Sequence, residues 1–228
     1  MIRRLITLAL AASLSIAAGP PAGRINWNTT VAVTPAGSHV VGNPAAKAKL
    51  TEWVSYTCPH CSRFEIEGDA PIRLAYVMPG KLQVEVRHLV RDPVDMTVAM
   101  LTNCGPVSRF FLNHTAFMRS QSTWIQTMAT AGDAQRQRWS SGEMTARMRA
   151  IANDFHFYDI METRGYGRVA VDRCLADQAM LRRLTAMTED AANAGVASTP
   201  SFAIDGVVLA GTHNWQALDL QLRARLNP

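Results

Sequence analysis

The sequence predicts an α/β fold in which a small sheet is interrupted by a large all-helical insertion. Three observations support this prediction. A strand, a helix and a second strand follow one another over residues 48–90, which is the unit of a parallel sheet. The next stretch of about a hundred residues has apolar positions at helical spacing and no strand pattern. Strand signals then return after Pro200.

The N-terminus has the pattern of a secretory signal peptide. Arg3 and Arg4 precede an uncharged, mostly apolar run that ends at Ala18, with small residues near its end. The run is shorter than the roughly 20 apolar residues that span a bilayer, so we expect cleavage, and an uncleaved anchor is the alternative. Residues 1–18 are therefore predicted to be a signal peptide, and the mature protein to be soluble and periplasmic or otherwise extracytoplasmic.

Composition favours a globular protein, and no cofactor is predicted for it. Almost half of the 228 residues are apolar, which suffices for a sizeable core without a metal or many cross-links. The net charge of +5 falls to +3 once two arginines leave with the signal peptide. The basic residues are scattered with few aromatic residues among them, which argues against nucleic-acid binding. No later segment is long and apolar enough to cross a membrane.

Residues 19–47 are predicted to be an N-terminal lead-in. It contains one short edge strand, Val31–Val33, and a loop over Pro35–Pro44, where glycine and asparagine interrupt any pattern. The segment Ala48–Thr57 then predicts a buried strand, because it is rich in bulky residues of high β-propensity.

A helix is predicted to begin at Cys58–Pro59, because proline at the first helical position lacks only an N–H group that would be unpaired there. Gly68 and Pro71 should break or kink this helix, since an internal proline removes a hydrogen bond and clashes with the preceding turn. The helix then resumes and stops at Pro79–Gly80. Leu82–Val90 alternates as the second strand.

The sheet domain is predicted to comprise residues 48–91 and 196–228, with residues 92–195 forming an insertion of four or five helices. After the insertion, two short strands flank the dipeptide Asp205-Gly206, which favours a two-residue hairpin turn. A final amphipathic helix is expected from Asn214 onward.

The segment Cys58-Pro59-His60-Cys61 is the strongest chemical signal. Two cysteines three apart at a helix start can form a tight disulfide, and the unpaired N–H groups and dipole of the helix favour a thiolate at Cys58. Cys61, one turn on, can resolve a mixed disulfide. A strand-to-helix junction is the context that a redox pair requires. Half of a zinc site or a purely structural disulfide are the alternatives, but no second close cysteine pair exists to complete a zinc site.

The other two cysteines are Cys104 and Cys174. In an oxidising compartment, four cysteines suggest two disulfides, and the spacing favours Cys58–Cys61 with Cys104–Cys174. The second would be a structural disulfide in the helical insertion, and two buried free thiols are the alternative.

His60 can add positive charge beside the Cys58 thiolate and make the disulfide more oxidising. For the other histidines we expect ordinary surface or partly buried positions: His39, His88, His114, His156 and His213. Ser198-Thr199-Pro200 precedes the returning strand. A cis X–Pro bond there would leave backbone groups free to pair with an extended substrate, but local sequence alone favours an ordinary trans proline at a loop end.

These residues resemble the DsbA family of periplasmic dithiol oxidases, within the thioredoxin-like superfamily. The block from Glu52 to Glu65 is similar to the strand, CPHC motif and helix of that family, and the Thr199-Pro200 turn is similar to its cis-proline region. The resemblance extends from about Ala48 to the C-terminus and implies a thioredoxin-like fold with a large all-helical insertion.

The resemblance also implies roles. Cys58 would be the nucleophile and Cys61 the buried resolving thiol, with Pro59 and His60 between them completing the motif. Pro200 would be cis and, with Thr199, would bind the substrate backbone. Glu52 matches a buried acid that assists proton transfer at the second cysteine, although an exposed carboxylate at a sheet edge is the alternative. Glu65 matches a further acid near the site, or is a helix-surface residue.

The predicted function is the introduction of disulfides into unfolded exported proteins that have reduced cysteines. By resemblance, a membrane oxidase of the DsbB type would reoxidise the pair. Thr199 replaces the valine of the best-known members, so a disulfide reductase or isomerase on the same scaffold is the first alternative. The second alternative is a binding protein. It would be either a peptide-binding module without activity or a copper metallochaperone that binds the metal through soft thiolates. The predicted dithiol oxidase has no metal site.

Overall fold

The computed structural model describes residues 25–226, which contain one six-stranded sheet. The predicted signal peptide, residues 1–18, lies outside them. The strands are β1 (Val31–Val33), β2 (His39–Gly42), β3 (Ala48–Val54), β4 (Leu82–His88), β5 (Ser201–Ile204) and β6 (Val207–Val208). Their order across the sheet is β1-β2-β4-β3-β5-β6. The central strands β3 and β4 are parallel, and the other neighbouring pairs are antiparallel.

Eleven α-helices accompany the sheet within residues 25–226. They are α1 (Pro59–Ile72), α2 (Pro93–Thr102), α3 (Phe110–Arg119), α4 (Gln121–Trp124), α5 (Gln126–Thr130), α6 (Asp133–Ser140), α7 (Met144–Asp154), α8 (Phe157–Thr163), α9 (Arg168–Leu175), α10 (Gln178–Asn193) and α11 (Trp215–Leu226). In this part of the chain no helix combines the length and apolar character needed to cross a membrane. The predicted α/β class, with a strand, a helix and a parallel strand, is confirmed.

A large apolar core joins the sheet to the helices, and a smaller second cluster surrounds Trp53 of β3. Leu50 of β3 shows how: it lies opposite Val84 of β4 and Ile204 of β5, and all three side chains are buried. Burying an aliphatic side chain of this size stabilises the fold by roughly 1.5–3 kcal/mol. The core therefore fixes β3, which leads through a short loop to the cysteine pair.

The loop predicted over Pro35–Pro44 is wrong, because β2 occupies His39–Gly42. This strand is buried and pairs on both sides, with Val41 opposite Val31 of β1 and Val84 of β4. Four residues between turn-forming residues are too few to show a periodic pattern. The neighbouring strands, rather than local propensity, stabilise it.

The break predicted in the first helix at Gly68 is also wrong, because α1 continues to Ile72. Gly68 instead leaves room for α11, since a Cβ atom there would lie 3.2 Å from the Trp215 ring. Pro71 lies inside the helix, and after it the backbone widens into a π-helical turn in which Met78 N–H donates to Arg73 O at 2.8 Å. A wider turn accommodates the disturbed hydrogen-bond pattern around the proline.

Nine helices, α2 to α10, lie between residues 92 and 195, whereas four or five were predicted. Some are separated by a single residue, such as Ser120 between α3 and α4 and Ile125 between α4 and α5. Neither residue is a glycine or a proline, so the sequence does not mark these breaks. The insertion therefore folds back on itself more often than the apolar spacing indicates.

Candidate active site

The segment Cys58-Pro59-His60-Cys61 lies where the loop after β3 enters α1. Cys58 is the N-cap residue, with an extended backbone (φ −88°, ψ 116°), and Pro59 occupies the first turn. The Cys58 carbonyl accepts the N–H groups of Cys61 and Ser62 at 3.1 and 3.3 Å. Both cysteines are buried and in the dithiol form. The backbone N–H groups of His60 and Cys61, in the first turn of the helix, also hydrogen-bond the Cys58 sulfur.

The two thiols differ in their tendency to ionise. A hydrogen bond from the Cys61 thiol is the main reason why the pKa of Cys58 falls to about 5; burial opposes the shift, and donors from Thr199, Cys61 N–H and His60 N–H add to it. Burial, followed by the adjacent Cys58 sulfur, raises the pKa of Cys61 well above its usual range. Near neutral pH, Cys58 is therefore a thiolate and Cys61 a thiol. His60 contributes here through its backbone, and the effect of its ring charge stays a prediction.

The Thr199–Pro200 peptide bond is cis, and it places Thr199 against the Cys58 sulfur. The thiol donates to the Thr199 carbonyl at 3.2 Å. The Thr199 hydroxyl is buried and has no hydrogen-bond partner among residues 25–226 while Cys58 is protonated. It is therefore placed to donate to the sulfur once the thiolate forms. The Pro200 carbonyl accepts a hydrogen bond from Nδ1 of His213 at 2.8 Å.

Glu52 is a buried carboxyl group on the central strand β3, with only 6% of its surface exposed. It lies opposite Val86 of β4 and Phe202 of β5, so the alternative of a carboxylate at a sheet edge is excluded. Burial raises its pKa well above the usual range, and the nearby charges of Glu65 and Asp69 add to this effect. The neutral carboxyl form of Glu52 is therefore favoured over the carboxylate.

Glu65 is buried on α1 and contacts the helical insertion. The Thr115 hydroxyl donates to one of its oxygens at 2.7 Å, and Nε2 of His114 lies 3.5 Å from the other. Burial raises the pKa of Glu65, but hydrogen bonds from His114 and Thr115 lower it overall. Nδ1 of His114 in turn hydrogen-bonds the Tyr56 hydroxyl at 2.9 Å. These contacts form a polar path from α1 to the loop before Cys58.

The expectation that the remaining histidines are on or near the surface is wrong for three of them: His39, His88 and His114 are buried. Burial is the main cause that lowers the pKa of His39 to about 4 and that of His88 to about 3. His39 stacks on Phe110 with 3.9 Å between ring centroids. His39 and His88 are therefore neutral at physiological pH. Their burial could not be predicted, because histidines that pack among aromatic rings leave no recognisable pattern in the sequence.

The helical insertion also holds the loop before α1 through residues that the sequence does not single out. Nε2 of Gln121, at the start of α4, donates to the carbonyls of Tyr56 at 2.5 Å and Cys58 at 2.9 Å. The Ser62 hydroxyl donates to the Met118 carbonyl at 2.7 Å. These partners are distant from the loop in the chain, so local spacing could not reveal them.

Cys104 and Cys174 form a disulfide, separated by 70 residues in the chain. It joins the segment after α2 to α9. A separate feature, a surface cleft of about 270 Å³, opens beside the redox pair. The cleft is lined by His60, Arg63, Phe64, Glu67, His213, Asn214, Trp215 and Gln216.

Comparison with known proteins gives the same assignment of fold. The model of a protein family described as Thioredoxin matches residues 34–224. The crystal structure of a protein-disulfide isomerase from Novosphingobium aromaticivorans is 56% identical; the match covers 84% of this chain and 98% of that chain, with a TM-score of 0.82. Wolbachia pipientis alpha-DsbA1 is 20% identical, over 86% of this chain and 94% of that chain, with a TM-score of 0.66. The predicted thioredoxin-like fold is confirmed.

A Rickettsia bellii protein that carries the provisional name of protein-disulfide oxidoreductase is 23% identical over 172 residues. The match covers 74% of this chain and 57% of that protein. The chain thus spans little more than half the length of this curated relative.

Proposed function

The chain belongs to the thioredoxin family whose model it matches, and on this premise we propose that it is a protein thiol–disulfide oxidoreductase of the DsbA type. Cys58 and Cys61 form the redox pair, and the favoured direction is the oxidation of dithiols. The observation that carries this proposal is the opposite pKa shift of the two thiols. A stabilised Cys58 thiolate favours the reduced form and so makes the disulfide a stronger oxidant.

The reaction starts from the Cys58–Cys61 disulfide. A substrate thiolate attacks Cys58 Sγ, the bond to Cys61 breaks, and Cys61 Sγ leaves and takes up a proton. A second substrate thiolate then attacks the substrate sulfur of the mixed disulfide, and Cys58 leaves as a thiolate. The substrate loses two electrons and gains a disulfide, and the protein gains the dithiol in which the structure shows it.

Glu52 supplies and accepts the proton at Cys61. Burial raises the pKa of the Glu52 carboxyl group, and the charge of its ionised form is among the causes that raise the pKa of Cys61, so the proton affinities of the two groups are linked. A buried acid can therefore protonate the Cys61 sulfur as it leaves, and recover the proton when the pair is reoxidised.

The substrates are unfolded exported proteins with reduced cysteines. The cis Thr199–Pro200 turn offers backbone groups beside Cys58, and the cleft lined by His60, Phe64 and Trp215 can hold neighbouring residues of an extended chain. We place the reaction in the periplasm, with a DsbB-type membrane oxidase that restores the disulfide. Fractionation of cells that express the full chain tests the compartment.

The activity is tested with a reduced peptide that contains two cysteines. The oxidised protein should convert it to the intramolecular disulfide, detected as a mass loss of about two daltons, and Cys58→Ala should abolish the conversion. Cys61→Ala, incubated with the oxidised peptide, should instead form a mixed disulfide, because its Cys58 thiolate displaces one sulfur of the peptide disulfide and no second active-site thiol releases the product. Unchanged oxidation by Cys58→Ala would refute the proposed enzyme, and copper retained by the protein through gel filtration would favour the metallochaperone.

Disulfide reduction or isomerisation is the second candidate function, on two specific observations. Thr199 stands before the cis proline, and the relative that is 56% identical is named a protein-disulfide isomerase. An isomerase would restore activity to a ribonuclease with scrambled disulfides faster than it oxidises the reduced peptide. An oxidase would show the opposite ratio.

A further inference from the structure

A buried carboxylate lies directly behind the loop that leads into Cys58, and the reaction described above gives it no role. Asp95 lies in the first turn of α2 and is only 1% exposed. One of its oxygens accepts the N–H of Tyr56 at 2.7 Å. The other accepts the Ser55 hydroxyl at 2.6 Å and the N–H of Arg91 at 3.0 Å.

Asp92 extends this contact toward the cysteine. As the N-cap of α2 it accepts the N–H of Asp95 at 2.9 Å, and its second oxygen accepts the Thr57 hydroxyl at 2.6 Å. Two carboxylates of one helical turn therefore hold residues 55–57. Since β3 ends at Val54, these side-chain hydrogen bonds constrain the loop where the sheet no longer does.

The loop that these carboxylates hold contacts both reactive thiols. Ser55 N–H donates to the Cys61 sulfur, and the Ser55 carbonyl accepts the N–H of Cys58 at 3.2 Å. A movement of Ser55 therefore changes the surroundings of both sulfurs.

We infer that Asp95 is a positioning residue for thiol–disulfide exchange: its ionised form fixes residues 55–57, and its protonation loosens them and slows reactions of Cys58. The inference rests on the proposed function, because it assigns Asp95 to the same site.

Asp95 changes its charge in the range where such a protein works. Burial raises its pKa to about 7, although the donors of Ser55, Tyr56 and Arg91 lower it, and the charge of Asp92 raises it further. Asp92 and Arg91 are the charged groups that face it, and the Arg91 side chain reaches it through the Ser55 hydroxyl, with Nε 3.1 Å from Ser55 Oγ. When Asp95 takes up a proton, the protonated oxygen becomes a donor. Either the Ser55 hydroxyl or the Tyr56 N–H then loses its acceptor.

The test measures how fast iodoacetamide alkylates Cys58 in the reduced, full-length protein from about pH 4 to about pH 9, a range that includes both transitions. The wild type should show a first rise near pH 5, when the thiolate forms, and a second near pH 7, when Asp95 ionises. Asp95→Asn should keep the first rise and lose the second. Ser55→Ala removes one donor to the charged carboxylate, so it should shift the second rise to higher pH.

The matched control is Asp133→Asn, an exposed aspartate in the first turn of α6, which should keep the wild-type profile. A wild-type profile for Asp95→Asn, or an unmoved second rise in Ser55→Ala, would overturn the inference. If Asp95→Asn does not fold, Ser55→Ala decides alone. Alkylation needs no protein substrate, so failure of the proposed oxidase in the peptide assay is a separate result from failure of this profile.

Discussion

At the scale of single residues, the chemistry of the site depends on where each sulfur lies relative to the first turn of α1. Cys58 at the N-cap receives hydrogen bonds from Cys61 and from backbone N–H groups, whereas Cys61 lies one turn further into the core. The pKa of Cys58 falls and that of Cys61 rises. In the proposed reaction this difference makes Cys58 the sulfur of the mixed disulfide and Cys61 the leaving sulfur, which takes up a proton that Glu52 can supply.

Replacing Glu52 by glutamine should slow exchange, because an amide cannot exchange a proton with the Cys61 sulfur. We expect the rate of peptide oxidation near pH 7 to fall roughly 100-fold, the lower end of the range for general acid–base catalysis. Glu162→Gln, which changes an exposed glutamate on α8, is the control and should keep the wild-type rate. Equal rates for the two variants would remove Glu52 from the mechanism.

At the scale of elements, the loop between β3 and α1 is held from two directions. The sheet fixes Val54 at one end, and the helical insertion fixes the loop itself through Gln121. The insertion thus contributes to the active site, although it carries neither reactive cysteine. The Cys104–Cys174 disulfide lies within the insertion and closes it between the segment after α2 and α9.

Gln121→Ala should destabilise the protein, because the buried carbonyl of Tyr56 loses its donor, whereas that of Cys58 keeps the N–H groups of Cys61 and Ser62. Leaving a buried acceptor unpaired costs about 1–3 kcal/mol, and urea unfolding measures the loss. Gln137→Ala, at an exposed position of α6, is the control and should change the free energy of unfolding far less. A Gln121→Ala protein as stable as this control would show that Gln121 does not hold the loop.

The double variant Cys104→Ser/Cys174→Ser should lower the free energy of unfolding by roughly 2–4 kcal/mol, because the unfolded chain gains freedom when a long loop is opened. The loop spans 70 residues. Urea unfolding at neutral pH gives the value, and the ultraviolet absorbance of the Cys58 thiolate should titrate as in the wild type. An altered thiolate titration would mean that the disulfide also shapes the redox site.

At the scale of the whole molecule, the sequence predicts what is contiguous and leaves open what the fold assembles. The strand, CPHC segment and helix lie in one stretch, so Cys58 and Cys61 and their junction could be located from local patterns. The strand β2 was missed because only its neighbours stabilise it. Asp95, His114 and Gln121 were missed because they reach the loop only after the helical insertion has folded against it.

The reduced protein should resist urea better than the oxidised protein near neutral pH. Folding lowers the pKa of Cys58 to about 5 from 9.0, so its thiolate favours the folded state. This stabilisation is complete above the ordinary pKa and is lost as the pH falls through about 5. Unfolding midpoints of both forms at several pH values measure it, with Cys104–Cys174 kept intact. An oxidised form that is more stable at neutral pH would contradict the assignment of Cys58 as the stabilised thiolate.

The reduction potential of the Cys58–Cys61 pair tests the proposed oxidase most directly. The native chain is equilibrated in glutathione buffers, and mass tags on the peptide that contains both cysteines report the reduced fraction. A stabilised Cys58 thiolate predicts a value close to about −120 mV, the potential of the strong oxidant DsbA. A value close to about −270 mV, as in thioredoxin, would contradict an oxidase and make the protein a reductant.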